Sequence, residues 1–174
     1  EPEEVFALFA HRPGCFYLDS ALSSHELSRF SYIGSDPFHT IKSHGQVMDI
    51  VEGKSVRHQK GDPLAALDAT LRRYQIPTGS PLVPFIGGAV GYMSYEIGRL
   101  TMGMPLEATD DLGLPEMNFN FYKNLLAYEH KSRRWFAAAA DFSGGRGPSV
   151  RKRLGSDIEK LIALASGEEK PAAA

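Results

Sequence analysis

The chain has 174 residues, of which 43% are hydrophobic and 23% are charged, and its formal net charge at pH 7 is −2. These values are typical of one globular domain that buries a core, and they exclude disorder over most of the length. The near-neutral charge excludes a general attraction to nucleic acid or to an anionic membrane surface.

The start of the chain predicts one short helix and two strands. Apolar side chains recur at helical spacing over residues 3–10, and Pro13-Gly14 ends that helix. Residues 15–18 predict a short apolar strand, and residues 29–35 predict a second strand that ends in a turn. The serine-rich segment between the two strands predicts a loop.

A meander and a helix follow. Two glycine-containing turns, at residues 44–45 and 52–54, predict three strands over residues 38–43, 46–51 and 55–59. Asp62 then predicts a helix N-cap, with Pro63 in the first helical position and leucines along one face until about residue 75. This helix has the clearest start signal in the chain.

The longest apolar run, residues 84–96, is also rich in glycine. Its aromatic and β-branched residues favour a strand, while Gly87, Gly88 and Gly91 allow another backbone, a ring or a ligand to lie against it. A phosphate-binding loop is the alternative, but no Gly-Lys-Ser/Thr follows, and Tyr92 continues a strand-like pattern. We therefore interpret Gly87, Gly88, Gly91 and Tyr92 as a structural glycine strand.

The C-terminal part predicts two more strands and a helix. Residues 98–115 are irregular, residues 117–128 alternate as one long strand, residues 135–140 return, and residues 149–165 form an amphipathic helix. The whole pattern predicts an α+β fold: a mostly antiparallel sheet of about seven strands with three principal helices.

One group of polar residues could bind a small molecule. Asp19 and Ser20 follow the first strand, and Ser28, Arg29, Phe30 and Ser31 open the second. An acid, an arginine and a ring suit a zwitterionic aromatic ligand, although spacing alone favours turn capping and a surface ion pair.

Other signals of chemistry are weak. The six histidines are scattered and predict no metal site, and the single cysteine excludes an intrachain disulfide. Asp110-Asp111 has no evident third ligand, so solvated charge is its simplest interpretation. No apolar run is near the roughly 18 residues that span a bilayer, and we expect a cytoplasmic protein.

Three blocks of sequence resemble one family. They are residues 18–21 (LDSA), residues 28–38 (SRFSYIGSDPF) and residues 84–92 (PFIGGAVGY), the last followed by YEIGR at 95–99. In order and spacing they are similar to the N-terminal domain of component I of the chorismate-utilising synthases, the family of aminodeoxychorismate synthase and anthranilate synthase. The resemblance implies an α+β fold, in agreement with the pattern of elements.

The resemblance also implies what the chain lacks. It makes residues 1–166 an N-terminal domain and residues 167–174 a linker towards a missing C-terminal domain, where this family binds chorismate and Mg²⁺. We therefore expect no catalytic residue, metal or cofactor in this chain. The parent chain would aminate chorismate with ammonia from a glutamine amidotransferase partner, as in folate and para-aminobenzoate biosynthesis.

The same likeness implies a tryptophan or regulatory-ligand pocket at Asp19, Ser20, Ser28, Arg29 and Phe30. In the family this segment usually reads Leu-Leu-Glu-Ser, whereas this chain has YLDS at residues 17–20, with a carboxylate one methylene shorter. The segment at 28–38 is more similar to the aminodeoxychorismate branch. The alternatives are the anthranilate branch with tryptophan feedback, and a stand-alone binding domain with this fold.

Overall fold

The computed structural model describes residues 1–20, 28–76, 82–103, 112–145 and 147–168. Within these ranges the chain forms two antiparallel sheets with helices, so the predicted α+β class is confirmed. The strands are β1 (Phe16–Leu18), β2 (Phe30–Gly34), β3 (His39–His44), β4 (Val47–Glu52), β5 (Ser55–Lys60), β6 (Gly88–Met93), β7 (Met117–Tyr122), β8 (Asn124–Glu129) and β9 (Arg134–Ala139). The helices are α1 (Pro2–Ala7), α2 (Pro63–Arg73), α3 (Gly98–Met102) and α4 (Pro148–Ala165), with a 3-10 turn at Tyr95–Ile97.

The chain divides into two compact units. The first comprises Glu1–Pro37, Ile76–Gly88 and Tyr122–Ala174, and it contains a four-stranded sheet in the order β1-β2-β8-β9. The second comprises Phe38–Gln75 and Ala89–Phe121, and it contains most of a five-stranded sheet in the order β5-β4-β3-β7-β6.

The first unit buries both faces of its sheet. On one face Ile33 and Leu126, which are cross-strand partners, pack with Phe9 and with Leu161 of α4. On the other face the buried residues are Phe30, Val83, Leu125, Ala127 and Ala138. Because successive strand residues point to opposite faces, adjacent apolar residues such as Leu125 and Leu126 serve the two cores separately.

The second unit packs α2 on one face of its sheet. Leu67 of α2 contacts Ile41, Met117 and Phe121 in a buried cluster. The start of the helix is fixed by Asp62, whose Oδ1 accepts hydrogen bonds from the backbone amides of Leu64 and Ala65 at 2.8 and 3.3 Å. This cap satisfies two amides that have no partner within the helix.

The expected single strand over residues 117–128 is wrong. The chain breaks at Lys123, and its two halves join different sheets, β7 beside β3 and β8 between β2 and β9. No glycine or proline marks the break, so the pattern of apolar residues gave no signal of it. The described chain therefore has nine strands in two sheets instead of about seven in one.

Two other segments differ from expectation. The strand predicted over residues 84–96 is confined to Gly88–Met93, and the segment predicted to be irregular begins with the short helix α3. Residues 22–27 of the loop predicted over residues 22–28, and the Asp110-Asp111 pair, lie outside the described residues. Among the described helices, none has the length and apolar content that crossing a membrane requires.

Candidate functional site

The segment that follows β1 lies beside β2. The backbone amide of Ser20 donates to Ser31 Oγ at 3.0 Å, and Ser20 Oγ donates to the carbonyl oxygen of Phe30 at 2.6 Å. The two strands are antiparallel, with Leu18 opposite Tyr32, so this contact extends their pairing past the end of β1. The geometry holds Asp19 next to Ser31.

Asp19 is the central acid of a small hydrogen-bonded group that we call the Asp19 cluster: Tyr17, Asp19, Ser31 and His130. Asp19 Oδ1 accepts hydrogen bonds from the Tyr17 hydroxyl and from Ser31 Oγ, both at 2.9 Å, and Glu3 Oε1 lies 3.4 Å from the same Tyr17 hydroxyl. Partial burial raises the pKa of Asp19, but these two bonds, a backbone bond from Ser20 and the nearby His130 together outweigh it, so the pKa of Asp19 lies below the usual value. Burial, together with the neighbouring carboxylate, raises the pKa of Tyr17.

Ser31 connects Asp19 to His130. The side chain of Ser31 is buried, and its Oγ lies 2.7 Å from His130 Nε2. A hydroxyl has one proton, and Ser31 donates that proton to Asp19, so the contact requires a proton on His130 Nε2. Ser31 therefore does not resemble a nucleophile, whose proton would point towards the imidazole.

Arg29 and Glu129 form an ion pair next to this cluster. The Arg29 guanidinium donates to Glu129 Oε1, and the Ser132 hydroxyl donates to Glu129 Oε2. These two donors, Ser132 first, lower the pKa of Glu129. The guanidinium also lies 5.0 Å from the centre of the Phe30 ring, a cation–π distance. The charge of Arg29 is thus already balanced within the protein.

The predicted pocket residues are neighbours along two paired strands, but their side chains do not share one face. Asp19 bonds with Ser31, whereas Phe30 points to the opposite face and belongs to the core with Val83 and Leu125. Ser28 is half-buried just before β2. Arg29 does form an ion pair, as in the alternative that the sequence left open, but its partner Glu129 is buried, so the pair lies only partly at the surface.

Three residues of this region were missed in the sequence: Tyr17, Glu129 and His130. Tyr17 stands close to the chosen residues, and alternation along a strand could have singled out Ser31, already in the candidate group, as the partner of Asp19. Glu129 and His130 lie about a hundred positions further on, and only the pairing of β2 with β8 brings them to Arg29 and Ser31.

The glycine strand lies against other parts of the backbone. A Cβ added to Gly91 would lie 2.1 Å from the carbonyl oxygen of Asn118 and 2.7 Å from Phe119 Cα. A Cβ at Gly87 would lie 3.0 Å from the carbonyl oxygen of Tyr122, and Gly88 has a φ of +131°. Tyr92, the fourth residue of this group, is 41% exposed.

The side chains gathered here are of a kind that can hold a polar ligand. It offers a carboxylate held by two donors, a buried hydroxyl and an ion pair. Within the ranges that the structure describes, no group of three histidine, cysteine or acidic side chains could hold a metal ion.

Comparisons with known proteins point to one family. The chain is 32% identical over 132 residues to aminodeoxychorismate synthase component 1 of Klebsiella aerogenes, and the match covers 75% of this chain and 29% of that protein. It is 31% identical over 134 residues to anthranilate synthase component 1 of Acetivibrio thermocellus, which covers 76% of this chain and 27% of that protein. No protein-family model matches.

A solved structure agrees with these similarities. The crystal structure of anthranilate synthase component I from Streptococcus pneumoniae superposes with a TM-score of 0.58 at 25% identity, over 82% of this chain and 32% of that one. The chain spans about three tenths of the length of the curated relatives that it matches.

Proposed function

Because this chain belongs to the component I family of the aminodeoxychorismate and anthranilate synthases, we propose that it is the non-catalytic N-terminal domain of an aminodeoxychorismate synthase component I. The proposal is carried by how little of a relative this chain matches. The matched region covers 75% of this chain but only 29% of the Klebsiella aerogenes protein. The remaining part of such a protein would hold chorismate and Mg²⁺.

The proposed parent chain aminates chorismate to 4-amino-4-deoxychorismate in the cytoplasm, with ammonia from a glutamine amidotransferase subunit. In this proposal the domain packs against the rest of the polypeptide and supplies no group that takes part in the reaction. Support comes from the Asp19 cluster, in which the Ser31 proton points to a carboxylate, and from the separate ion pair in which Glu129 balances the charge of Arg29.

Incubation with chorismate, Mg²⁺ and ammonium tests the non-catalytic role. We expect no aminated product from the 174-residue chain, while full-length aminodeoxychorismate synthase component 1 of Escherichia coli serves as the positive control under the same conditions. Turnover by the chain alone would contradict the proposal. A natural reading frame that continues for several hundred residues past position 174 would support it, and one that ends there would favour a stand-alone binding domain.

We also propose that Asp19, Ser20, Ser28, Arg29 and Phe30 contribute to a tryptophan or regulatory-ligand pocket. The support is local: Asp19 and Ser20 lie beside Ser31 and Phe30 at the paired ends of β1 and β2. Isothermal titration with tryptophan is the test, and Ser20→Ala should weaken binding at least about tenfold, since its hydroxyl anchors this segment. Ser143→Ala, in the loop before α4, is the matched control. If no binding is detected at millimolar tryptophan, the proposal of a tryptophan pocket is contradicted.

The anthranilate branch is the second candidate function. It is favoured by the 31% identity to the Acetivibrio thermocellus protein and by the superposed Streptococcus pneumoniae structure. The product of the family-length protein separates the branches, because anthranilate and 4-amino-4-deoxychorismate are distinguished by mass spectrometry. Inhibition by tryptophan would support the anthranilate branch further.

A further inference from the structure

The β6 edge of the five-stranded sheet and the two short helical segments that follow it expose several large apolar side chains. We define the β6 surface as Tyr92 and Met93 of β6, Tyr95 of the 3-10 turn, and Leu100 and Met102 of α3. Their exposed fractions are 41%, 45%, 84%, 37% and 70%. Tyr92 and Met93 are consecutive strand residues that point to opposite faces, so each face of the sheet has an exposed apolar side chain at this end, in the part of the chain that the structure describes.

The backbone of β6 is an edge as well. β6 lies beside β7, and no other described strand lies on its outer side. Gly91 allows close approach to β7, where an added Cβ would meet the carbonyl oxygen of Asn118. An exposed edge with apolar side chains is a pairing site for another polypeptide segment, and soluble proteins normally protect such edges.

The opposite edge of the same sheet is protected. All six residues of β5 are exposed, and they include Arg57, His58 and Lys60. Charged side chains on an edge strand discourage pairing with other chains. The β6 surface is instead aromatic and rich in methionine, the composition of the buried centre of a protein interface.

We propose that the β6 surface is where the remainder of a family-length component I polypeptide packs against this domain, through an apolar segment that lies along β6 and α3. The proposal rests on the proposed function. The relatives indicate which polypeptide would cover this surface. About seven tenths of the Klebsiella aerogenes protein and two thirds of the Streptococcus pneumoniae chain lie outside the matched region. A segment of the same polypeptide is present at a high effective concentration, so it covers the edge without a separate partner.

Hydrogen exchange on the family-length polypeptide that carries this chain tests the contact. Backbone amides of residues 88–93 and 98–102 should exchange at least about tenfold more slowly there than in the 174-residue chain, because covered amides need an opening event before they exchange. Amides of β5 should exchange equally in both proteins. Equal exchange of β6 in the two proteins would overturn the proposal.

A pair of variants gives a second readout. Tyr95→Lys combined with Met102→Lys should leave the midpoint of thermal unfolding of the 174-residue chain within about 2 °C of the unsubstituted chain, since both side chains are exposed there. In the family-length polypeptide the same change should lower the midpoint by about 4 °C or more, because lysines would be buried against apolar groups. Val47→Lys combined with Val56→Lys is the matched control, with exposed fractions of 54% and 56%, and should change neither protein.

The outcomes separate this inference from the proposed function. If the family-length protein shows the exchange and stability differences but does not aminate chorismate, the proposed contact is supported and the proposed function is contradicted. If it aminates chorismate without those differences, the proposed function is supported and the proposed contact is contradicted. A 174-residue chain that is dimeric by light scattering, and becomes monomeric on the double lysine change, would overturn the proposal in favour of a second copy on this surface.

Discussion

β5 and β6 are the two edge strands of one sheet and have six residues each, but they differ in the kind of side chain that they expose. β5 exposes every residue and carries Arg57, His58 and Lys60. β6 combines glycines with exposed Tyr92 and Met93. Both are outer strands of the sheet, so the side chains are what distinguish a charged edge from an apolar one.

The comparison also concerns the inner side of each edge. β5 pairs with β4 through ordinary side chains, with Val56 opposite Val51. β6 approaches β7 so closely at Gly91 that no side chain fits. The β6 edge is therefore more sensitive to substitution on its inner side, and the β5 edge should tolerate changes on either side.

Gly91→Ala is expected to have the largest effect. The added methyl group would meet the Asn118 carbonyl oxygen at 2.1 Å and Phe119 Cα at 2.7 Å, and both are backbone atoms that cannot move without separating β6 from β7. We expect the free energy of unfolding to fall by about 3 kcal/mol or more, as for a severe steric conflict with backbone atoms. Urea unfolding followed by circular dichroism measures the change.

Gly53→Ala, in the turn between β4 and β5, is the control for that substitution. Its φ is +59°, and nothing lies within 4 Å of the added Cβ. Its cost should be the backbone strain alone, about 1–2 kcal/mol. If the two substitutions destabilise the chain equally, close approach of β7 does not explain the glycine at position 91.

Much of the fold could be predicted because its signals are local. Asp62 and Pro63 mark the start of α2, and Gly45, with a φ of +56°, lies in the hairpin turn between β3 and β4, which occupies residues 45–46, one position later than predicted. The break at Lys123 could not be predicted, because it depends on which sheet each half of the run pairs with. Alternation of apolar residues reports that a strand is buried and does not report its neighbours.

The candidate site divides in the same way. Asp19, Ser20, Arg29 and Phe30 lie within a dozen positions of one another, and their proximity follows from two strands joined by a short connection. Glu129 and His130 reach the site only through the β2–β8 pairing, which nothing in the local sequence specifies. The chemistry of the site depends on those distant residues. Glu129 balances the charge of Arg29, and His130 contacts Ser31, whose proton is directed to Asp19.

A smaller effect is expected in the pH dependence of stability. It compares two histidines, His39 on the inner strand β3 and His58 on the edge strand β5. Burial among rings lowers the pKa of His39, and the opposing effect of Glu52, whose Oε1 lies 3.3 Å from Nδ1, does not restore it; Arg73 and Arg57 also disfavour the charged ring. The unfolded chain therefore takes up a proton more readily than the folded chain as pH falls below about 6.5. Stability should be retained above that pH and decline below it.

His39→Phe should flatten this decline, because phenylalanine suits the ring contacts with Tyr74 and Phe121 and takes up no proton. His58→Gln on β5 should keep the decline, because the side chain of His58 is 75% exposed. Urea unfolding of both variants between pH 5 and 8 makes the comparison, with the pH range chosen to bracket the ordinary pKa of histidine. An unchanged slope in His39→Phe would show that other groups cause the acid sensitivity.

Val56→Lys on β5 should have the smallest effect. Val56 is 56% exposed on an edge strand, so a lysine can leave its charge in water while its stem lies over Val51 of β4. The free energy of unfolding should change by less than about 0.5 kcal/mol, as for most exposed positions. A loss well above that value, measured by urea unfolding of the 174-residue chain, would mean that β5 is also covered in solution. In that case the charged residues of β5 would belong to an interface, and the contrast between the two edges would no longer identify the β6 surface as the contact.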